Sequence, residues 1–195
     1  MRVYYEKRAG EYDDWWLGTG LFAARARPGW HEDVAALLAV LGALAPARTL
    51  DLACGTGFLT RVLRGEVTGV DQSAAMVSIA RSRRPDAAFE VGDALEPRPG
   101  FERIFSAHFY GHLDAAQREA FLALPRSAEL VVVDSARRPD GVDEDWQERV
   151  LDDGSRHRVY KRWFTAAGLA EEVGGAEVLH DGPWFVAVRG SSPRS

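Results

Sequence analysis

Apolar residues recur at three- and four-residue steps over residues 28–44, where Trp30, Val34, Leu37, Leu38, Leu41 and Leu44 mark one face of a helix that Pro46 closes. A short apolar run over 48–53 follows and ends in a glycine-containing turn, after which 58–63 resume helical spacing. The alternation then continues. The pattern predicts strands over 67–70, 87–91, 103–107 and 130–133, a helix over 73–82 with Ser73 at its N-cap, and a further helix over 114–122. Strands this apolar belong in a parallel sheet covered on both faces.

The end of the chain breaks the rule. A helix over 165–173 precedes apolar segments at 177–179 and 184–188, with only a short Gly182 and Pro183 turn between them. Such a turn joins antiparallel strands, because a parallel pair needs a crossover of about a dozen residues or more. The expected fold is therefore α/β, a doubly wound, seven-stranded, mostly parallel sheet of Rossmann-like type with a C-terminal antiparallel hairpin. No repeat or linker divides the chain, so residues 1–190 read as one domain and 191–195 as a disordered tail.

The composition agrees with one globular domain: 195 residues, 46% hydrophobic and 27% charged, with a net charge of −5. A mildly acidic chain lacks the basic footprint of a nucleic-acid binder. The N-terminus has no signal-peptide core and no segment is apolar enough to span a membrane, so neither export nor membrane association is expected. Cys54 stands alone, which excludes an intramolecular disulfide and a multi-cysteine zinc site. No metal is expected, and a reducing cytoplasmic setting is the default. Seven of the 20 aromatic residues fall within the first 30 positions, a clustering that needs a cause.

Ligands of an open parallel sheet bind beyond the carboxyl ends of its strands, so the residues that follow each strand carry the chemistry. After the first comes Asp51, Leu52, Ala53, Cys54, Gly55, Thr56, Gly57, whose glycines let the backbone pass close under a ligand. After the second comes Asp71, followed by Gln72; a carboxylate here suits a ribose diol because it accepts two hydroxyl hydrogen bonds. After the third comes Asp93, flanked by Ala94 and Leu95, an arrangement that suits an adenine amino group and ring. Each acid taken singly also reads as a helix cap or a solvated loop carboxylate. Three together point to a nucleoside. A dinucleotide fingerprint is disfavoured, since Thr60 stands at the third-glycine position and Asp51 would face a pyrophosphate.

These residues resemble the class I S-adenosylmethionine-dependent methyltransferases, whose glycine motif has the form of DLACGTG. The resemblance implies that S-adenosylmethionine is the cofactor. By position, Asp51, Ala53, Gly55, Thr56 and Gly57 would surround its methionyl part, Asp71 and Gln72 its ribose, and Met76, Asp93, Ala94 and Leu95 its adenine side. The stretch from Tyr5 to Asp13 and the block from Leu151 to Phe164 are similar to a bacterial small-molecule branch. The turn usual before the family's fifth strand is replaced by Pro125, Arg126 and Ser127.

Tyr5, Arg8, Tyr12 and Trp16 would share one face of an N-terminal helix within residues 1–30. That face is expected to act as a lid, with Tyr5, Arg8 and Tyr12 reaching the cofactor; an amphipathic helix packed on the core is the plainer reading. After the fourth strand, His108 and His112 are candidates for a general base, with His108 also near the cofactor, and a structural role stands as the alternative for each. The acidic run from Asp140 to Asp153 reads as a solvated face. The expected function is methyl transfer to a small-molecule acceptor. A protein that binds the cofactor without transferring its methyl is the second reading, and a nicotinamide oxidoreductase a weaker third.

Overall fold

The computed structural model of the chain describes residues 2–124 and 127–191. Strands β1 (Thr49–Leu52), β2 (Val67–Asp71), β3 (Ala88–Val91), β4 (Arg103–Ala107) and β5 (Glu129–Ser135) run parallel. A separate antiparallel pair, β6 (Glu144–Val150) and β7 (Arg156–Arg162), follows β5. The chain then returns through β8 (Glu177–Asp181) and β9 (Phe185–Ser191), with β9 antiparallel to both β5 and β8. The main sheet has the seven strands the pattern predicts, mostly parallel with an antiparallel C-terminal hairpin, and their order is β3-β2-β1-β4-β5-β9-β8.

Alternation along the central strands feeds two cores. Phe105, Val131 and Val133 face α3 (Trp30–Gly42), whose Trp30, Val34, Leu37 and Leu41 are buried against them. Ile104, Leu130 and Val132 face α5 (Ala115–Leu122) and α6 (Ala166–Glu172) through Phe121 and Leu169. Full burial of a leucine such as Leu37 or Leu41 contributes about 1.5–3 kcal/mol. Helix α4 (Ala74–Arg83) is capped as expected, Ser73 Oγ accepting from the Met76 amide, and Asp114 with Gln117 forms a reciprocal cap on α5.

Two expectations change. The helical spacing over 58–63 yields only a 3-10 turn, Thr60–Val62. Glycines at positive φ, Gly57 and Gly65, bracket the segment, and the backbone turns extended at Leu63 (φ −69, ψ 135), which ends the turn after Val62. The N-terminal helix is not continuous either: α1 (Arg2–Arg8), a 3-10 turn (Ala9–Glu11) and α2 (Asp14–Leu17) follow one another. Trp16 consequently leaves the face shared by Tyr5 and Tyr12 and is buried, its ring stacked 4.7 Å from Phe58 and 5.3 Å from Phe185. The acids between Asp140 and Asp153 stay exposed, as expected, and the run also contributes strand β6, whose pairing with β7 seats Leu151 and Val159 against Tyr4.

Ser191 closes β9 rather than opening the tail; residues 192–195 lie outside the described residues, as do Pro125 and Arg126. Among the described residues no helix is long and apolar enough to cross a membrane.

Candidate active site

The carboxyl ends of β1 to β4 meet at one cavity, beside the switch in strand order between β1 and β4. Ala53, Gly55, Asp71, Gln72, Ala94 and His108 line it, together with Tyr5, Tyr12 and His112. Two non-glycine residues, Ala53 (φ 57) and His108 (φ 53), adopt left-handed backbone here, the kind of local strain that concentrates at binding sites.

Asp71 organises the cavity. Its Oδ2 accepts from the Gly55 amide and its Oδ1 from the Ser73 amide, both at 2.9 Å, so one carboxylate fixes the glycine turn after β1 and the entry to α4. Burial raises its pKa. The two glycines divide the work. Gly55 faces the cavity, where a Cβ would stand 3.7 Å from the Tyr12 ring, whereas Gly57 lies against α4, 3.3 Å from the Ala80 Cβ.

Several residues of the strand-end motifs lie elsewhere. Asp51, only 2% exposed, sits beneath the glycine turn and accepts from Thr60 Oγ1 at 2.5 Å. Thr56 is buried and donates to Asp13, which pairs with Arg83 on α4. Met76 is buried in the body of α4. Asp93 is exposed and turns back to accept from the Leu95 amide at 2.9 Å, while Leu95 packs on the core. None of these five side chains lines the cavity, and Gly57 does not reach it.

Burial pushes the Asp51 pKa up to about 7, with Thr60 pulling the other way. A raised carboxyl pKa means that stability present below the ordinary value near 3.8 is lost as pH rises through 7. The loss amounts to about 4 kcal/mol at full ionisation. Asp51→Asn is therefore expected to gain stability relative to the parent between pH 5 and 8, read from denaturant unfolding at each pH. A difference independent of pH would refute the buried-acid assignment.

A second, larger cavity lies on the other side of a wall formed by Tyr5, Tyr12, His108 and His112, the residues common to both. The structure places Arg8 on this second cavity, where its guanidinium stands 4.8 Å over the Tyr12 ring and donates to Tyr4 Oη at 2.8 Å.

His112 Nδ1 lies 2.5 Å from the Tyr160 carbonyl, which can only accept, so Nδ1 carries the proton and Nε2 the lone pair. Burial holds its pKa well below the usual imidazole range. His108 is pushed down to about 3, chiefly by burial, against the opposing pull of Asp134. Its Nδ1 approaches Ser135 Oγ at 3.4 Å, and its buried Nε2 has no partner. Both rings are thus neutral near pH 7, and neither readily holds a transferred proton.

The strand-end reading passed over Phe109, Ser73 and Arg2, which also line the smaller cavity, and Asp134, at the end of β5. Asp134 carried the same signal as the other three acids, a carboxylate closing an apolar strand. Nothing in the sequence marks its buried partner Lys161 on β7.

The cavity fits a nucleoside joined to an amino acid: a carboxylate for vicinal hydroxyls, an open backbone turn, apolar Ala94 and Phe109 for a flat ring, and an orphaned imidazole nitrogen. Comparison with known proteins agrees. A methyltransferase domain family matches residues 49–128. A trans-aconitate 2-methyltransferase of Methylobacterium nodulans is 30% identical over 185 residues, covering 80% of this chain and 68% of the relative. A dTDP-3-amino-3,6-dideoxy-alpha-D-glucopyranose N,N-dimethyltransferase of Streptomyces fradiae is 41% identical over 123 residues, covering 58% of this chain. The chain spans about half the length of that relative, 45%. The solved DhpI complex with SAH superposes with a TM-score of 0.73 at 27% identity, covering 98% of this chain and 95% of DhpI. Shared sequence along most of the chain and a shared arrangement of strand ends place it among the class I S-adenosylmethionine-dependent methyltransferases.

Proposed function

We propose that this protein transfers the methyl group of S-adenosylmethionine to a small-molecule acceptor. The observation that carries the reading is the pair of cavities separated only by Tyr5, Tyr12, His108 and His112. S-adenosylmethionine, when bound, supplies a methyl group already activated by the positive charge on its sulfur. Asp71 would take the ribose hydroxyls, Ala94 and Phe109 the adenine, and the backbone at Gly55 the amino-acid portion. Tyr5 and Tyr12 would place aromatic faces near the sulfonium and keep water from it.

What the chain must then do is align two reactants, and a shared wall with rigid, neutral side chains suits that task. His108 and His112 serve as positioning residues in this reading, since their burial opposes taking up a proton. Small molecules figure in the relatives' names and complexes as well: trans-aconitate, a dTDP-sugar, and a DhpI complex with SAM and HEP. The net charge of −5 favours such an acceptor over nucleic acid, and the lone cysteine favours a cytoplasmic setting. Binding without transfer would leave the larger cavity without a role.

The test is incubation with S-adenosylmethionine and a fractionated metabolite extract, followed by mass spectrometry. Formation of S-adenosylhomocysteine together with a product heavier by one CH₂ is expected. Tight cofactor binding with no turnover in any fraction would instead favour the binding-only role.

A further inference from the structure

We infer that the acceptor is a small organic acid carrying two or more negative charges, held in the larger cavity by guanidinium groups, chiefly those of Arg149 and Arg8. The inference rests on the transferase reading and adds the substrate class to it.

In a chain of net charge −5, five arginines line this one cavity: Arg8, Arg25, Arg27, Arg138 and Arg149. Among the described residues none of the five has a carboxylate within ion-pair distance. The two acids on the same walls are engaged elsewhere: Glu11 accepts from the Asp152 amide at 2.8 Å, and Glu148 pairs with Arg156. Five cations thus share the cavity with two carboxylates, and none of the five is held in a direct ion pair.

Arg8 is only 8% exposed, and its one side-chain hydrogen bond goes to a neutral phenol, Tyr4. Arg149 is half-buried on β6, steadied by Gln147 Oε1 at 3.2 Å, with the Tyr4 ring 6.0 Å from its guanidinium carbon. Removing a guanidinium from water without an anion is costly, so two such groups facing one cavity imply a ligand that brings the charge. The planar fork of N–H groups matches the paired oxygens of a carboxylate or a phosphonate. Aromatic walls from Trp15, Trp30 and Trp184 lower the local dielectric and strengthen that attraction.

The experiment uses the full chain saturated with S-adenosylhomocysteine and three probes: propane-1,2,3-tricarboxylate, its neutral triamide, and ethylphosphonate. Calorimetry is expected to show binding of the acids, weakened by added salt, and none of the triamide. Preference between the tricarboxylate and the phosphonate identifies which oxyanion the site was built for. Arg149→Gln should weaken acid binding at least about 30-fold while leaving S-adenosylhomocysteine affinity within about twofold, and Arg149→Lys should recover part of the loss. In turnover assays with S-adenosylmethionine the same change should fall on KM rather than kcat. Triamide binding equal to that of both acids, or Arg149→Gln without effect on acid binding, overturns the inference. Acid binding that never leads to methyl transfer upholds it and overturns the transferase reading instead.

Discussion

Asp71→Ala is expected to weaken S-adenosylhomocysteine binding by about 100-fold, close to 2.7 kcal/mol. The magnitude follows from what the carboxylate holds. It accepts from the amides of Gly55 and Ser73, at 2.9 Å each, and it faces the cavity. Hydrogen bonds to a charged acceptor contribute about 1.5–3 kcal/mol apiece. Without them the glycine turn loses its fixed shape as well as its ribose partner. Asp93→Ala, by contrast, should change affinity by no more than about threefold, because that carboxylate is exposed and closes its own turn onto Leu95. Calorimetric titration of both variants, with thermal melts to confirm folding, separates the two. Equal losses for Asp71 and Asp93 would show that the nucleoside does not lie where the smaller cavity puts it.

The largest effect on stability is expected from Asp134→Ala, a loss of about 3–5 kcal/mol. Asp134 is 0% exposed and pairs with Lys161 from β7, while it also accepts from the Gly111 amide at 2.8 Å and the Ser135 amide at 2.7 Å. Burial alone would raise its pKa, but the Lys161 ammonium outweighs that and holds the carboxyl below its usual range. The sign is thus opposite to that of Asp51. Stability from Asp134 is present above the ordinary carboxyl pKa and drains away as pH falls through the lower folded value. Removing the acid leaves Lys161 buried with no counter-charge, and the loop at Gly111 loses its anchor. The double variant Asp134→Asn, Lys161→Met should recover much of the stability, since the stranded charge is gone. Guanidinium unfolding of the three proteins checks this; a single-variant loss below about 1 kcal/mol would mean that the pair does not hold the hairpin to the sheet.

The sheet was legible because burial on both faces forces strands such as Val131 to Val133 to be apolar throughout, and only a parallel interior strand looks like that. Strand β6 was hidden for the converse reason. Its sequence, EDWQERV, lies mostly exposed, so nothing in it alternates by burial, and its pairing depends on Val159 and Leu151 meeting Tyr4. The strand-end acids show a different limit. Spacing located Asp51, Asp71 and Asp93 at the correct edge, yet a carboxylate can turn into the sheet, into the cavity or onto its own loop, and these three do one each. The early aromatic cluster likewise divides: Trp16 and Trp30 fill the core, and Tyr5 and Tyr12 face the ligand cavities. Breaking of the helix after Arg8 made that division, and it follows from no single residue that periodicity would flag.

The antiparallel last strand has a practical consequence for handling the protein. Because β9 runs against β5, Ser191 lies opposite Glu129, at the amino-terminal rim of the parallel strands. Arg2 lies at the other rim, on the lining of the smaller cavity. Helix α1 therefore starts at the cavity mouth, while β9 ends at the opposite rim of the sheet. A purification handle or a surface attachment belongs at the carboxyl end.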